Sequence, residues 1–144
     1  MFALQESPID LIQIQNTRRN NPCGAMVCFE GIVRRDKHPG KEVSSLLYIA
    51  DYPACIQEGE AIIKEVNALF PLLDAVCIQR IGQVNAGETA VWIGVWSAHR
   101  DEAFKGCRYL IEEIKKRLII WKKEFFTDGT SAWVRGPKQT SVLL

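Results

Sequence analysis

The sequence predicts an α+β domain built on a mostly antiparallel sheet. Three observations lead there. Residues 54–69 and 101–118 place apolar side chains at three- and four-residue intervals, the period of one helix face. Around them lie runs rich in β-branched and aromatic residues, bounded by Gly, Pro, Asn and Asp, which read as short strands. The helices do not alternate strictly with the strands, and no internal repeat or low-complexity segment breaks the chain, so helices packed on hairpin-like strands are the natural arrangement.

Taken in order, Ser7-Pro8-Ile9-Asp10 reads as an N-cap, a proline at the first helical position and an acidic residue three after the cap. A short helix from about Pro8 to Thr17 follows, ended by Asn20-Asn21-Pro22. Gly24 to Val33 is a strand finishing near Arg34, residues 35–42 a polar loop holding Pro39-Gly40, and Val43 to Ala50 a second strand leading into Asp51-Tyr52-Pro53. The helix from Ala54 to Leu69 carries Ile56, Ile62, Ile63, Val66 and Leu69 on one face, and Pro71 stops it. Asp74–Ile81 and Thr89–Ser97 read as strands joined by the turn-like segment Gly82 to Gly87. In the latter, Val91, Ile93 and Val95 alternate with Trp92, Gly94 and Trp96, so both faces meet protein. The two tryptophans either pack in the core or line a dimer interface. The third helix buries Ala103, Phe104, Cys107, Leu110, Ile111, Ile114 and Leu118, and short strands at Trp121–Thr127 and Ser131–Val134 flank Asp128-Gly129.

Composition narrows the function. At 144 residues the chain reads as one domain, 1–144; a chain of this length removes roughly 70% of its unfolded surface from water. A formal net charge of +1 argues against a nucleic-acid binder relying on bulk basicity, so any electropositive site must be local. No window approaches a membrane span, and no basic segment followed by a long apolar run marks a secretory signal, so a cytoplasmic location is expected. Five cysteines (Cys23, Cys28, Cys55, Cys77, Cys107), widely spaced and without C-x-x-C, fit reduced apolar fillers, with Cys55 beside a turn as the exception to watch. No ligand cluster has metal-binding spacing, so neither metal nor other cofactor is expected.

The chemistry concentrates between Ser97 and Glu124. Asp101 and Glu102 suit the positive end of the helix dipole, whereas His99 and Arg100 are cations at that same end. Such cations make sense where an anion is meant to arrive. Lys115-Lys116 and Lys122-Lys123 flank the other end of the helix. Taken alone, each of these features has an ordinary reading: lysines as solvated dipole partners, His99-Arg100 as a satisfied loop pair, Arg34-Arg35 as a strand end reaching solvent, and His38 as an exposed loop residue.

Together, GAMVCFEGIVR (24–34), DYP (51–53), RIGQVNAGE (80–88), SAHRDEAF (97–104), KKR…WKKE (115–124) and a final G-x-x-x-W-V (129–134) resemble the catalytic, large-subunit family of molybdopterin synthase over nearly the whole chain. The resemblance implies an α/β-hammerhead type of α+β fold that forms a homodimer within a heterotetramer. Its partner would be a small ubiquitin-like subunit whose C-terminal Gly-Gly carries a thiocarboxylate. Two sulfurs would pass in turn to cyclic pyranopterin monophosphate, forming the molybdopterin dithiolene. It further implies that Lys115 and Lys122 are catalytic, that Arg34, His99 and Arg100 hold anionic groups, and that Ile32, Val33, Lys123 and Glu124 border the same pocket.

These residue types suit that chemistry. Donor and substrate are both anions, so fixed cations reduce their repulsion and hold the reacting atoms in geometry. Arginine donates a fork of hydrogen bonds to phosphate. A lysine among other cations has its proton affinity lowered, so Lys115 suits general acid or base work as sulfur displaces oxygen, with nucleophilic attack on the partner's terminal carbonyl also open. Lys115 and Lys122 share a face if the helix continues between them; if the β-rich LIIWKKE ends it near Leu118, the pocket forms where helix end meets strand.

The chain departs from the family at Ile119, where proline is common, at Ala50-Asp51, where Glu and a small residue or His often stand, and at Cys55, where methionine is common. None removes a cation, so activity is expected. The rival reading is a non-catalytic protein binding small anions or a ubiquitin-like tail; a nucleotide-binding regulator would want a glycine-rich phosphate loop, and the sequence has none.

Overall fold

The computed structural model describes residues 1–18 and 22–134. Along them run β1 (Phe2–Gln5), α1 (Leu11–Arg18), β2 (Ala25–Ile32), β3 (Lys37–His38), β4 (Lys41–Ala50), α2 (Tyr52–Leu69), β5 (Leu72–Arg80), β6 (Gly82–Asn85), β7 (Thr89–Ser97), α3 (Arg100–Arg117), β8 (Ile120–Phe126) and β9 (Ser131–Val134). A first sheet has the order β1-β5-β7-β2, antiparallel except where β1 lies parallel to β5. A second has the order β3-β4-β8-β9, and β6 adds to β4. This is the α+β, mostly antiparallel architecture that the sequence predicts.

Helices α2 and α3 cover one face of the first sheet. Their apolar stripes close over Cys77, Ile93 and Val95 to form the main core. Leu110 and Ile114 of α3 are buried there, each worth roughly 2 kcal/mol of apolar transfer. Phe104, expected in the same stripe, is 60% exposed. The other face of the sheet packs Trp92 and Trp96, with ring centroids 6.2 Å apart, under Ile9, Leu11 and Ile14. The tryptophans are therefore core residues covered by α1 and are not available to a dimer interface.

The helix ends differ from the sequence reading for local reasons. Asp10, not Ser7, caps α1: its Oδ1 accepts the Gln13 amide at 3.0 Å. The expected stop at Asn20-Asn21 lies outside the described residues. Asp51-Tyr52-Pro53 is the start of α2 rather than a separate turn, since the Asp51 carboxylate accepts the Ala54 amide and proline fits the first turn. Helix α3 ends at Arg117 without a proline. Leu118 has φ −72° and ψ 135°, the conformation that a following proline would impose, so Ile119 leaves the chain's exit unchanged.

Segment 82–87, expected as a simple turn between strands, carries the chain from one sheet to the other. Gly82, at φ +79°, allows β5 to pass into β6 within two residues. The nearly buried Arg80 guanidinium fastens this crossing, with Nη1 2.6 Å from Glu88 and Nη2 3.3 Å from the Glu6 carbonyl. The phenylalanine-led β1 was not marked by periodicity; its four residues are too few to show it.

Cys55, flagged by its position, is fully buried, and its thiol donates to the Ile119 carbonyl at 3.2 Å. Burial pushes its pKa up, as expected of an inert filler. Among the described residues no helix is long and apolar enough to cross a membrane.

Candidate active site

A cleft of about 780 Å³ opens where the C-terminal half of α3 meets the second sheet. Four segments supply most of its lining. The end of β2 contributes Gly31, Ile32, Val33 and Arg34; β4 contributes Val43, Leu46 and Tyr48; α3 and its exit contribute Ile111, Glu112, Ile114, Lys115, Lys116 and Leu118; β8 contributes Ile120, Lys122 and Glu124. The helix stops before Lys122, so the two lysines reach the cleft from different elements, at the junction of helix end and strand.

Each position follows from local structure. Arg117 faces away from the cleft and clamps the last turn of α3 to α2: its guanidinium meets Glu58 at 2.6 Å and the Glu65 carboxylate at 2.9 Å, with a closer contact to the second Glu65 oxygen. That bond holds the Glu65 carboxyl below its ordinary range. Lys115, two positions earlier, lies well around the helix and opens into the cleft. On β8 alternation decides: Lys122 and Glu124 face the cleft, and Lys123 points to the opposite face, 5.4 Å from the Trp133 ring centroid. Lys123, expected at the pocket border, is therefore not among its lining residues.

The floor of the cleft is apolar and its rim cationic. Val33, Val43, Ile114 and Leu118 are buried; Arg34 is 82% exposed and meets Asp36 at 3.4 Å, a contact worth little in water. Lys122 is half-buried, its ammonium 5.9 Å from the centroid of Tyr48, its cross-strand partner. Burial first, and the charge of Lys115 second, push the pKa of Lys122 down. The sequence singles out Lys115 for such a shift; the structure shows one at Lys122. Burial raises Tyr48 to about 12, so its phenol stays protonated.

His99 and Arg100 are exposed at the N-terminal end of α3, with the Ser97 hydroxyl donating to the His99 carbonyl. Fifteen residues of helix separate Arg100 from Lys115, about 22 Å of rise. One chain thus gathers Ile32, Val33, Arg34, Lys115, Lys122 and Glu124, and leaves His99 and Arg100 apart. Ala50, where the family departure was noted, does not line the cleft. Tyr48, Gln79 and Glu112 line it and carry no mark in the sequence; Lys116, which reads from sequence as a solvated helix-end lysine, lines it too. Only the cross-strand register of β4 with β8 marks Tyr48, and register is not readable before the strands are paired.

The MoaE protein family model matches residues 4–117. The molybdopterin synthase catalytic subunit of Thermoplasma volcanium is 40% identical over 127 residues, covering 88% of this chain and 90% of that relative. The corresponding subunit of a Nostoc species is 36% identical over 134 residues, covering 92% and 81%. Among solved structures, molybdopterin synthase from Staphylococcus aureus superposes with a TM-score of 0.84 at 33% identity, covering 92% of this chain and 95% of that one. A MoaE protein from Burkholderia ambifaria superposes with a TM-score of 0.78 at 26% identity, covering 99% and 94%.

Proposed function

The chain belongs to the MoaE family, the catalytic subunits of molybdopterin synthase, and we propose that its cleft transfers sulfur to cyclic pyranopterin monophosphate from the thiocarboxylated C-terminus of a small ubiquitin-like subunit. The observation carrying this reading is the convergence of Arg34, Lys115 and Lys122, from three separate elements, on one cleft with an apolar floor.

The thiocarboxylate sulfur bonds to a side-chain carbon of the pterin as a carbon–oxygen bond there breaks. Water then cleaves the acyl–sulfur bond, leaving the donor tail as a carboxylate, and a second donor repeats the transfer. The departing oxygen needs a proton, and the anions need neutralising. Lys122, with its lowered proton affinity, gives up a proton more readily than an ordinary lysine; Lys115 keeps it so and neutralises the donor carboxyl. Arg34 takes the phosphate at the rim, and Glu124 lines the cleft two residues beyond Lys122. The separation along α3 supports a homodimer in which His99 and Arg100 of a second copy complete the anion site, each copy binding one small subunit in a heterotetramer. The five thiols are unpaired, which suits the cytosol.

Lys115→Ala is expected to abolish dithiolene formation in a mixture of purified protein, thiocarboxylated small subunit and pyranopterin, while its thermal unfolding stays unchanged. Full turnover by the folded variant would overturn the assigned role.

A further inference from the structure

Tyr48 stands out within the cleft. The residue is almost wholly buried, 8% exposed, yet its hydroxyl is bonded to no other described residue. A buried tyrosine ordinarily finds a partner for its hydroxyl. Here the oxygen is not sealed off either: the fully enclosed, unpartnered polar atoms among the described residues belong to Arg80, Trp92, Glu102 and Trp121. The oxygen thus keeps some contact with solvent, and the residue lines the cleft. Phenylalanine would fill the same volume in the core, so packing alone does not call for the oxygen.

Resting on the reading of the cleft as the pyranopterin site, we propose that Tyr48 binds the substrate directly, its hydroxyl donating a hydrogen bond to an acceptor on the pterin ring system, and thereby selects for the ring. Depth argues for the ring rather than the phosphate. The exposed Arg34 and Lys115 lie at the rim, where a phosphate keeps part of its hydration; the floor, with Val43, Leu118 and Tyr48 buried, suits a flat heterocycle. A site built to donate to such an acceptor rejects compounds that lack it, because the donor is then left unpaired. The phenol remains a donor throughout the working range, since burial keeps it protonated to about 12.

The test compares Tyr48→Phe, Lys122→Ala and the unaltered chain in calorimetric titrations with cyclic pyranopterin monophosphate and with inorganic phosphate, beside thermal unfolding of each. Tyr48→Phe is expected to weaken pyranopterin binding about tenfold, the loss of one donor to a desolvated acceptor, and to leave phosphate binding unchanged. Lys122→Ala is expected to weaken pyranopterin binding as well. If Tyr48→Phe binds pyranopterin normally while Lys122→Ala does not, the inference fails and the site stands. Equal losses for pyranopterin and phosphate would overturn the assignment to the ring. Normal pyranopterin binding by both variants would sink the site reading itself.

Discussion

Gly31 offers the sharpest test of how the fold sets the cleft. It lies in β2 opposite Val91, at the point where the register against β7 shifts, three residues before Arg34. A Cβ built on Gly31 would come 2.6 Å from Val91 Cγ1, inside any tolerated carbon–carbon contact. That methyl belongs to a stiff, β-branched side chain that is itself buried, so it cannot swing clear. Gly31→Ala is therefore overpacked and should cost about 1–3 kcal/mol. For a chain of this size that corresponds to a melting temperature lower by about 3–10 °C. Val91→Ala alone should cost roughly 2 kcal/mol through lost burial and a residual cavity. The double variant removes the clashing methyl, and its cost should fall short of the sum of the two by about 1 kcal/mol or more.

Urea unfolding of the three variants measures this coupling, and substrate titration reads its functional side. If β2 moves to relieve the clash, Arg34 moves with it, so Gly31→Ala should weaken pyranopterin binding and the double variant should recover it. Strictly additive costs, or a Gly31→Ala chain as stable as the original, would refute the close approach and the argument from it.

The lowered proton affinity of Lys122 carries further expectations. Acting as the acid, Lys122 must hold its proton, so the single-turnover rate should fall as pH rises through a pKa below the ordinary lysine value of about 10.4, and Lys122→Arg should lose that limb. In Lys115→Met the like charge is gone, so NMR titration of the isotopically labelled Lys122 side chain should show its pKa moving up; no movement would deny the coupling between the two.

What the sequence made legible, and what it hid, divides along physical lines. The amphipathic helices and the buried strand 89–97 were readable because their burial patterns repeat over many residues. The DYP segment reads as a turn although it caps a helix, since Asp-x-Pro suits both and only the hydrogen bond to Ala54 decides. Segment 82–85 was hidden because Gly82 and Asn85 look like turn residues, and its pairing with β4 depends on a strand nearly forty residues away. Site residues carrying charge were named from their motif. Tyr48 was not, because its place beside Lys122 comes from register, and Lys123 was included because alternation along β8 needs the strand's facing to be known. The two tryptophans had two readings until α1 was seen to cover them.

The length of α3 turns the question of assembly into an experiment. Its eighteen residues run from the Ser97 contact at one end to the Arg117 clamp at the other, so His99 and Arg100 lie too far along the helix to reach Lys115 within one chain. If all of them serve one reaction, symmetry must supply the missing pair: a two-fold dimer brings the start of one α3 to the end of the other and builds two equal composite sites. A Lys115→Ala chain and a His99→Ala/Arg100→Ala chain should then each be inactive alone. Mixed and allowed to exchange subunits, half of the dimers become hybrids, and each hybrid holds one site with both defects and one with none. Activity should therefore return to about a quarter of the unaltered level, from two inactive proteins. Were all the cations needed on a single chain, no mixing ratio would restore turnover. Persistent inactivity, with hybrid dimers verified by mass, would remove His99 and Arg100 of a second copy from the site and leave Arg34, Lys115 and Lys122 to bind both anions unaided.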